Sequence, residues 1–334
     1  MGMIRLGIDA MGGDFAPHEI VAGAVKGARQ LGINVLLVGD PASIQAELDG
    51  LDCTDLAIEI VPAATAISMH ANPAEAVRSH PQASINVACQ MVLEGRADGV
   101  VTMGHTGAGM IAALFKFGRI PGVERPAVIV PLLGLREDLY LIDAGANTEV
   151  RPKHLLQFAQ MGSIFVEQAI GIPQPRVGLL SNGIESNKGT ATGREAFPLL
   201  EQASGLNFAG NIEGNSLWSS HINVIVADGF SGNVLLKSTE GTVKTLLTQV
   251  EEILPRLSVE QAELLKAHLL DLRQRNHYSR HGVSTLLGVR HPMFIGHGRS
   301  KAQAVVNGMA TAQRVIASET IAKIGQAFAE TSSN

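Results

Sequence analysis

The sequence predicts a Rossmann-like three-layer α/β/α fold, a mostly parallel sheet with helices on both faces and a helical hairpin projecting from it. Three observations carry this prediction. Short β-branched apolar runs alternate with helix-length amphipathic stretches, the mark of repeated βαβ units. The 334 residues are 46% hydrophobic but only 4% aromatic, so the core is one of Ala, Val, Leu and Ile, and 36 glycines supply tight connections. Beyond the middle of the chain the alternation gives way to one long helical stripe. No low-complexity linker and no repeat interrupts the chain, which reads as a single domain over residues 1–334 with the hairpin at 241–283.

The strands are expected at residues 4–8, 35–38, 58–61, 100–103, 127–132, 140–142, 177–180 and 224–227, and helices at 19–31, 84–94, 110–117 and 154–170. Several strands run into glycine turns: Gly12 and Gly13 after the first, Gly39 after the second, Gly104 and Gly107 after the fourth, Gly183 and Gly189 after the seventh. In open α/β sheets ligands bind at this carboxyl edge. From 243 to 257, Val243, Leu246, Leu247, Val250, Ile253, Leu254 and Leu257 form one helical stripe. Ser258 and Gln261 make a capping box for a second helix carrying Leu264, Leu265, Leu269 and Leu272. Such a hairpin can dimerise, bind a partner helix, touch a membrane or pack within the fold; the pattern leaves all four open.

A formal charge of −5 argues against a general nucleic-acid binder, whose phosphate contacts need a basic surface. No signal-peptide pattern and no membrane-length apolar run is present, so the expected location is the cytoplasm. Cys53 and Cys89 stand far apart with no zinc-type spacing, and read as buried thiols rather than a disulfide or metal pair. The G-x-S-x-G elbow, H-E-x-x-H and the G-x-x-x-x-G-K-[ST] phosphate loop are all missing.

What the chain offers instead is clusters of Gly, Asn, Asp, Ser and Lys at strand ends, the residue types that hold phosphate with main-chain amides and a point charge. Asp9-Ala10-Met11-Gly12-Gly13-Asp14 is the first, with Asp14 a candidate N-cap or reactive carboxylate. In Gly104-His105-Thr106-Gly107-Ala108-Gly109 the amides point above a helix N-terminus, where an anion is the natural guest; a purely structural turn is the alternative. Glu185-Ser186-Asn187-Lys188-Gly189-Thr190 places a lysine among small polar residues, free to reach an anion or to lie in solvent. Asp228-Gly229-Phe230-Ser231-Gly232-Asn233 either closes around a compact polar group or opens a helix. Between Leu272 and Lys301 there is no Asp or Glu, while Arg273, Arg275, Arg280, Arg290, Arg299, Lys301 and four histidines occur there, a positive stretch suited to an acidic partner or to a solvated face.

Taken together, these segments resemble the PlsX family, the acyl-acyl-carrier-protein:phosphate acyltransferases of bacterial phospholipid synthesis. The resemblance runs nearly end to end. It rests on Asp9 through Asp14 with Ala16-Pro17, on Pro73-Ala74-Glu75-Ala76-Val77-Arg78, on the Gly104 to Gly107 turn, and on Gly118-Arg119-Ile120 with Arg125-Pro126-Ala127. It continues through Asp143 to Asn147, Lys188-Gly189, Asp228 to Asn233 with Lys237, and His297-Gly298. Two departures stand out. Family members usually carry Asn where this chain has His105, and Asn-Ile-Gly-Glu-Glu where it has Ser181-Asn182-Gly183-Ile184-Glu185.

The resemblance implies reversible transfer of a long acyl chain from acyl carrier protein to inorganic phosphate, with no metal and no cofactor. It also implies a homodimer with peripheral membrane contact, passing acyl-phosphate to a membrane glycerol-3-phosphate acyltransferase. Phosphate is already an anionic nucleophile, so the protein's task is to align two reactants and stabilise the thioester oxygen. On this basis phosphate is expected at Lys188 and the amides of His105, Thr106 and Gly107, with further hydrogen bonds from Asn233, Ser231 and Gly232. Asp228 joins Lys188 and Asn233 as a catalytic candidate; His297 is expected to bind phosphate, assist the leaving thiolate or serve structure. Asp9, Gly12, Gly13, Asp14 and Asn147 are expected to order the loops, and Arg273, Arg275, Arg280 and Arg290 to receive the acidic carrier. Two other functions remain open: a phosphate acetyl- or butyryltransferase using coenzyme A, and a non-catalytic phospholipid regulator, the latter prompted by His105 and Ile184.

Overall fold

The computed structural model describes residues 2–132, 138–276 and 278–332. The first half of the chain runs β1 (Arg5–Asp9), α1 (His18–Leu31), β2 (Asn34–Gly39), α2 (Pro41–Leu48), β3 (Ile58–Pro62), α3 (Pro73–Ser79), α4 (Ser84–Leu93), β4 (Gly99–Thr102), α5 (Thr106–Lys116), β5 (Ala127–Pro131) and β6 (Tyr140–Ile142). It continues with α6 (Pro152–Phe165), β7 (Val177–Ser181), α7 (Ala191–Glu201), β8 (Phe208–Glu213), β9 (Val224–Val226), α8 (Gly229–Glu251) and α9 (Val259–Arg275). The last elements are β10 (Val283–Leu287), β11 (Met293–Gly296), α10 (Ala302–Ala317) and α11 (Thr320–Ser332).

All the named strands join one eleven-stranded sheet in the order β3-β2-β1-β4-β11-β10-β5-β6-β9-β7-β8. Its two flanks are parallel: β3, β2, β1, β4 and β11 on one side, β6, β9, β7 and β8 on the other. Between them β11–β10, β10–β5 and β5–β6 are antiparallel. Three reversals leave the flanks pointing opposite ways, so the carboxyl ends of β1, β4 and β11 lie at one edge and those of β6, β9 and β7 at the other. The expected strands are all present. Sequence reading misses β8, β10 and β11, and with the last two it misses the centre of the sheet, where Phe294 is fully buried.

Burial on both faces explains the uninterrupted apolar runs. One face packs Leu6, Ile8 and Val101 against α1, α6 and α10, while the other packs Val38, Val100 and Ile295 against α4 and α5. Local signals set the helix starts. Asp40 accepts from Ser43 N at 2.8 Å to cap α2, Asn72 caps α3, and Thr190 accepts from Gly193 N at 3.0 Å to cap α7. The Ser258–Gln261 capping box opens α9 as its sequence predicts.

The helical hairpin is built differently from its expected form. Its first helix begins at Gly229 rather than 241, so the Asp228 turn and the hairpin belong to one rod. The apolar stripe does not stay in one helix to 257, because α8 ends at Glu251 and Pro255 sits in a separate 3₁₀ turn, Leu254–Arg256. Arg273 Nη2 meets Glu251 Oε2 at 2.8 Å across the pair. Leu269 is buried, whereas Leu246, Val259, Leu264 and Leu270 are exposed.

Candidate functional site

At the first edge, two glycine turns are tied together by a buried carboxylate. Asp9 ends β1, and its Oδ2 accepts from Thr102 Oγ1 at 2.7 Å; the same hydroxyl accepts from Gly104 N at 3.0 Å. Gly12 fills the gap above them: a Cβ there would stand 2.5 Å from Asp9 Oδ2 and 2.9 Å from both Thr102 Oγ1 and Gly104 N. Only a residue without a side chain fits. Burial pushes the Asp9 carboxyl above the usual carboxylate range, with the Ser84 and Thr102 hydroxyls working against that shift.

His105 is the N-cap of α5, its Nδ1 accepting from Ala108 N at 3.4 Å. Because the first amides of a helix have no acceptor within it, Thr106 and Gly107 present theirs to whatever lies above the turn. Asp14 does not cap α1, whose N-cap is Pro17. Its main-chain N instead donates to Gly298 O at 2.8 Å, which fastens the first glycine turn to the loop after β11. In that loop His297 Nδ1 accepts from Arg299 N at 3.2 Å. Partial burial and then the Arg299 charge hold the His297 imidazole below its ordinary value, Lys237 adds to this, and Asp14 opposes it.

At the second edge the organising group is Asp143, which is fully buried after β6. Its Oδ1 accepts from Val128, Gly145 and Ala146 N at 3.1, 3.1 and 2.9 Å, and its Oδ2 from Asn147 N and Nδ2 at 2.7 and 2.9 Å. Burial raises its carboxyl and these donors oppose that shift. Asn147 Nδ2 also donates to Pro126 O at 2.8 Å, and Asn147 O accepts from Gly229 N at 2.7 Å. The first turn of α8 is thus clamped to the Asp143 loop. A Cβ on Gly232 would collide with Asp143 O, and the Asn233 amide lies 3.4 Å from where a Cβ on Gly145 would stand.

Asp228 is the N-cap of α8, accepting from Ser231 N and Ser231 Oγ, each at 2.8 Å. Of the two roles open to this turn, the structure shows the helix start. Asp228 therefore orders Ser231, and each of its carboxylate oxygens accepts one hydrogen bond. Lys188 lies on the loop after β7, a strand beside β9 at the same edge. It is exposed, with its stem along Gly183 and near Glu185, while Gly189 N donates to Asn182 Oδ1 at 2.8 Å.

What joins the edges is α8. From Asn233 at the Asp143 loop it carries Lys237 and Glu240, and both sense the loop after β11: Lys237 acts on His297, and Arg299 acts on Glu240. Three of the four expected clusters thus share one connected framework with His297. Lys188 belongs to the second edge by topology. Sequence reading missed Thr102 and Asp143 as organisers; Thr102 stood inside the strand expected at 100–103 and Asp143 in a segment of the family resemblance.

The positive stretch is not one surface, because β10 and β11 run through its middle. Arg273 pairs with Glu251 on the hairpin, and Arg290 Nε donates to Arg119 O at 3.0 Å near the far end of α5. Arg280 lies in a 3₁₀ turn after α9, and the Arg275 side chain falls outside the described residues. Cys89 is buried and its thiol is pushed up by that burial; Cys53 is partly buried. Among the described residues no helix is long and apolar enough to cross a membrane.

A family model described as fatty acid synthesis protein matches residues 4–323. A phosphate acyltransferase of Nostoc punctiforme is 44% identical over 326 residues, covering 96% of this chain and 95% of the relative. One from Desulforamulus reducens is 43% identical, covering 94% of each. Among solved structures, the EutD phosphotransacetylase of Staphylococcus aureus aligns with a TM-score of 0.56 at 17% identity, over 93% of this chain and 94% of that one. A branched-chain phosphotransacylase of Enterococcus faecalis gives 0.58 at 15% identity, over 94% and 99%. At such identities the structural likeness speaks to the fold.

Proposed function

The chain belongs to the fatty acid synthesis protein family and is an acyltransferase, and from that premise we propose that it moves a long acyl chain from acyl carrier protein to inorganic phosphate, reversibly. The observation that carries this reading is the near full-length match to phosphate acyltransferases, and the anion-suited turns at the strand ends fit it. The membership sets aside the non-catalytic regulator.

In the reaction a phosphate oxygen attacks the thioester carbonyl, a C–O bond forms, the C–S bond breaks, and its electron pair leaves with sulfur as thiolate. No covalent enzyme intermediate is needed. The Thr106 and Gly107 amides beside His105 and the Lys188 ammonium hold the phosphate, and Asn233, with Ser231 and the Gly232 amide, stabilises the carbonyl oxygen as it gains charge. Asp228 and Asn147 position that turn; Asp9, Gly12, Gly13 and Asp14 position the other. His297, on the linking loop, is placed to meet phosphate or the leaving sulfur. Phe230 and Val234, exposed on α8 either side of Asn233 in sequence, offer apolar surface for the acyl chain.

The whole chain works as a single domain, as a homodimer in the cytoplasm. Its exposed hairpin leucines touch the membrane surface, where acyl-phosphate passes to a glycerol-3-phosphate acyltransferase. Arg273, Arg275, Arg280 and Arg290 meet the acidic carrier at more than one point. The deciding experiment is phosphate-dependent release of carrier thiol from palmitoyl-carrier, run beside palmitoyl-coenzyme A. Release from the carrier supports the proposal, release from coenzyme A alone replaces it with a coenzyme A-dependent phosphate acyltransferase, and release from neither rejects it.

A further inference from the structure

The helix that links the two sheet edges carries a cation with no assigned task. Asn233, Lys237 and Glu240 occur at i, i+4 and i+7 on α8, along one face of the helix. Asn233 sits at the Asp143 loop, and Glu240 lies within the influence of Arg299, so Lys237 stands between the second edge and the loop after β11. It is exposed, and among the described residues no ion pair or hydrogen bond holds its ammonium. Its charge acts on Glu240 along the helix and on His297, and Arg299 acts on both of these groups while Asp14 acts on His297. The loop that bears His297 is fixed to the first glycine turn through Asp14 N and Gly298 O at 2.8 Å, and Gly13 packs against both Gly298 and Met103, next to the Gly104 turn.

We propose that Lys237 is a second phosphate-binding residue, closing the site between Asn233 and the His297 loop and sharing the charge of inorganic phosphate with Lys188. The inference rests on the phosphate-acceptor reading. Inorganic phosphate carries more than one negative charge near neutral pH, and a single exposed lysine on the β7 loop leaves part of it uncompensated. A flexible ammonium one helical turn from Asn233 supplies the missing charge without fixing the anion's orientation, which the main-chain amides do. The same chemistry suits the phosphodiester of the carrier's pantetheine arm, so the test separates the two.

Lys237→Met keeps the aliphatic stem and removes the charge from an exposed position. Lys244→Met, two turns further along α8, controls for net charge. Binding of inorganic phosphate to the free enzyme is followed by 31P NMR, and KM is measured separately for phosphate and for palmitoyl-carrier. Expected for Lys237→Met is roughly tenfold or greater weakening of phosphate binding and a matching rise in the phosphate KM, with the carrier KM within about twofold, partial recovery in Lys237→Arg and no change in Lys244→Met. Phosphate binding unchanged in Lys237→Met overturns the inference, as does absence of phosphate binding to the wild type. A rise confined to the carrier KM overturns it in favour of the phosphodiester. If Lys237-dependent phosphate binding is found without any acyl transfer, the inference stands and the functional reading falls.

Discussion

Asp9 and Asp143 are both buried carboxylates at the end of a strand, one at each edge of the sheet, yet they are satisfied in opposite ways. Asp143 accepts five hydrogen bonds, four from main-chain amides and one from Asn147 Nδ2. Asp9 takes its clearest bond from one neutral hydroxyl, Thr102. The second edge therefore depends on two acceptor oxygens that gather a loop of donors around themselves. The first edge depends on shape, on a glycine that leaves room for a carboxyl and an amide to meet on one hydroxyl. Hydrogen-bond acceptance and close approach are different ways of holding a turn, and they fail differently under substitution.

The largest effect is expected at Asp143. Asparagine at that position turns an NH2 toward main-chain N–H donors, leaving buried groups without acceptors, and a loss of about 3–5 kcal/mol follows. Urea unfolding measures it, and a loss below about 1 kcal/mol would break the contrast between the two edges. Next is Asn233→Ala, which removes a proposed oxyanion donor while its Asp228-capped turn persists. Turnover should fall about 100-fold or more with little change in unfolding midpoint. An equal fall in both would make Asn233 part of the clamp. Gly12→Ala should cost about 1–3 kcal/mol by forcing Asp9, Thr102 and Gly104 apart, and should raise the phosphate KM as the Gly104 turn shifts.

The contrast was only partly legible in the sequence. Alternating runs and glycine turns point to the strands and their loaded ends, and Ser258 with Gln261 marks the start of α9. Strands β10 and β11 escape because each is short and lies between arginines and histidines, so the charges draw attention to a surface that the sheet interrupts. Asp143 escapes as an organiser because its partners are amides, which every residue has and no side-chain pattern displays. Lys237 is visible as part of a motif, but its closeness to His297 depends on a helix crossing between edges whose opposite sense only the topology reveals.

The smallest and sharpest test is Asp9→Asn across pH. Asn can still accept from Thr102 Oγ1, so its geometry is kept and only the ability to ionise is lost. Burial raises the folded-state Asp9 value above that of the unfolded chain. Below the unfolded value both states hold the proton and the charge has no effect. As pH climbs from there through the folded value, the unfolded chain ionises first and the folded state loses stability; above the folded value the loss is constant. Thermal midpoints of wild type and Asp9→Asn should therefore lie close together at the acid end and separate toward neutral pH, with the variant the more stable. The same comparison at Asp143 should show the variant less stable at every pH, because an amide cannot accept from all five donors, with the gap narrowing toward neutral pH since burial raises that carboxyl too. If Asp9→Asn instead falls below the wild type at every pH, the first edge holds its turn by hydrogen-bond acceptance after all, and the two edges work alike.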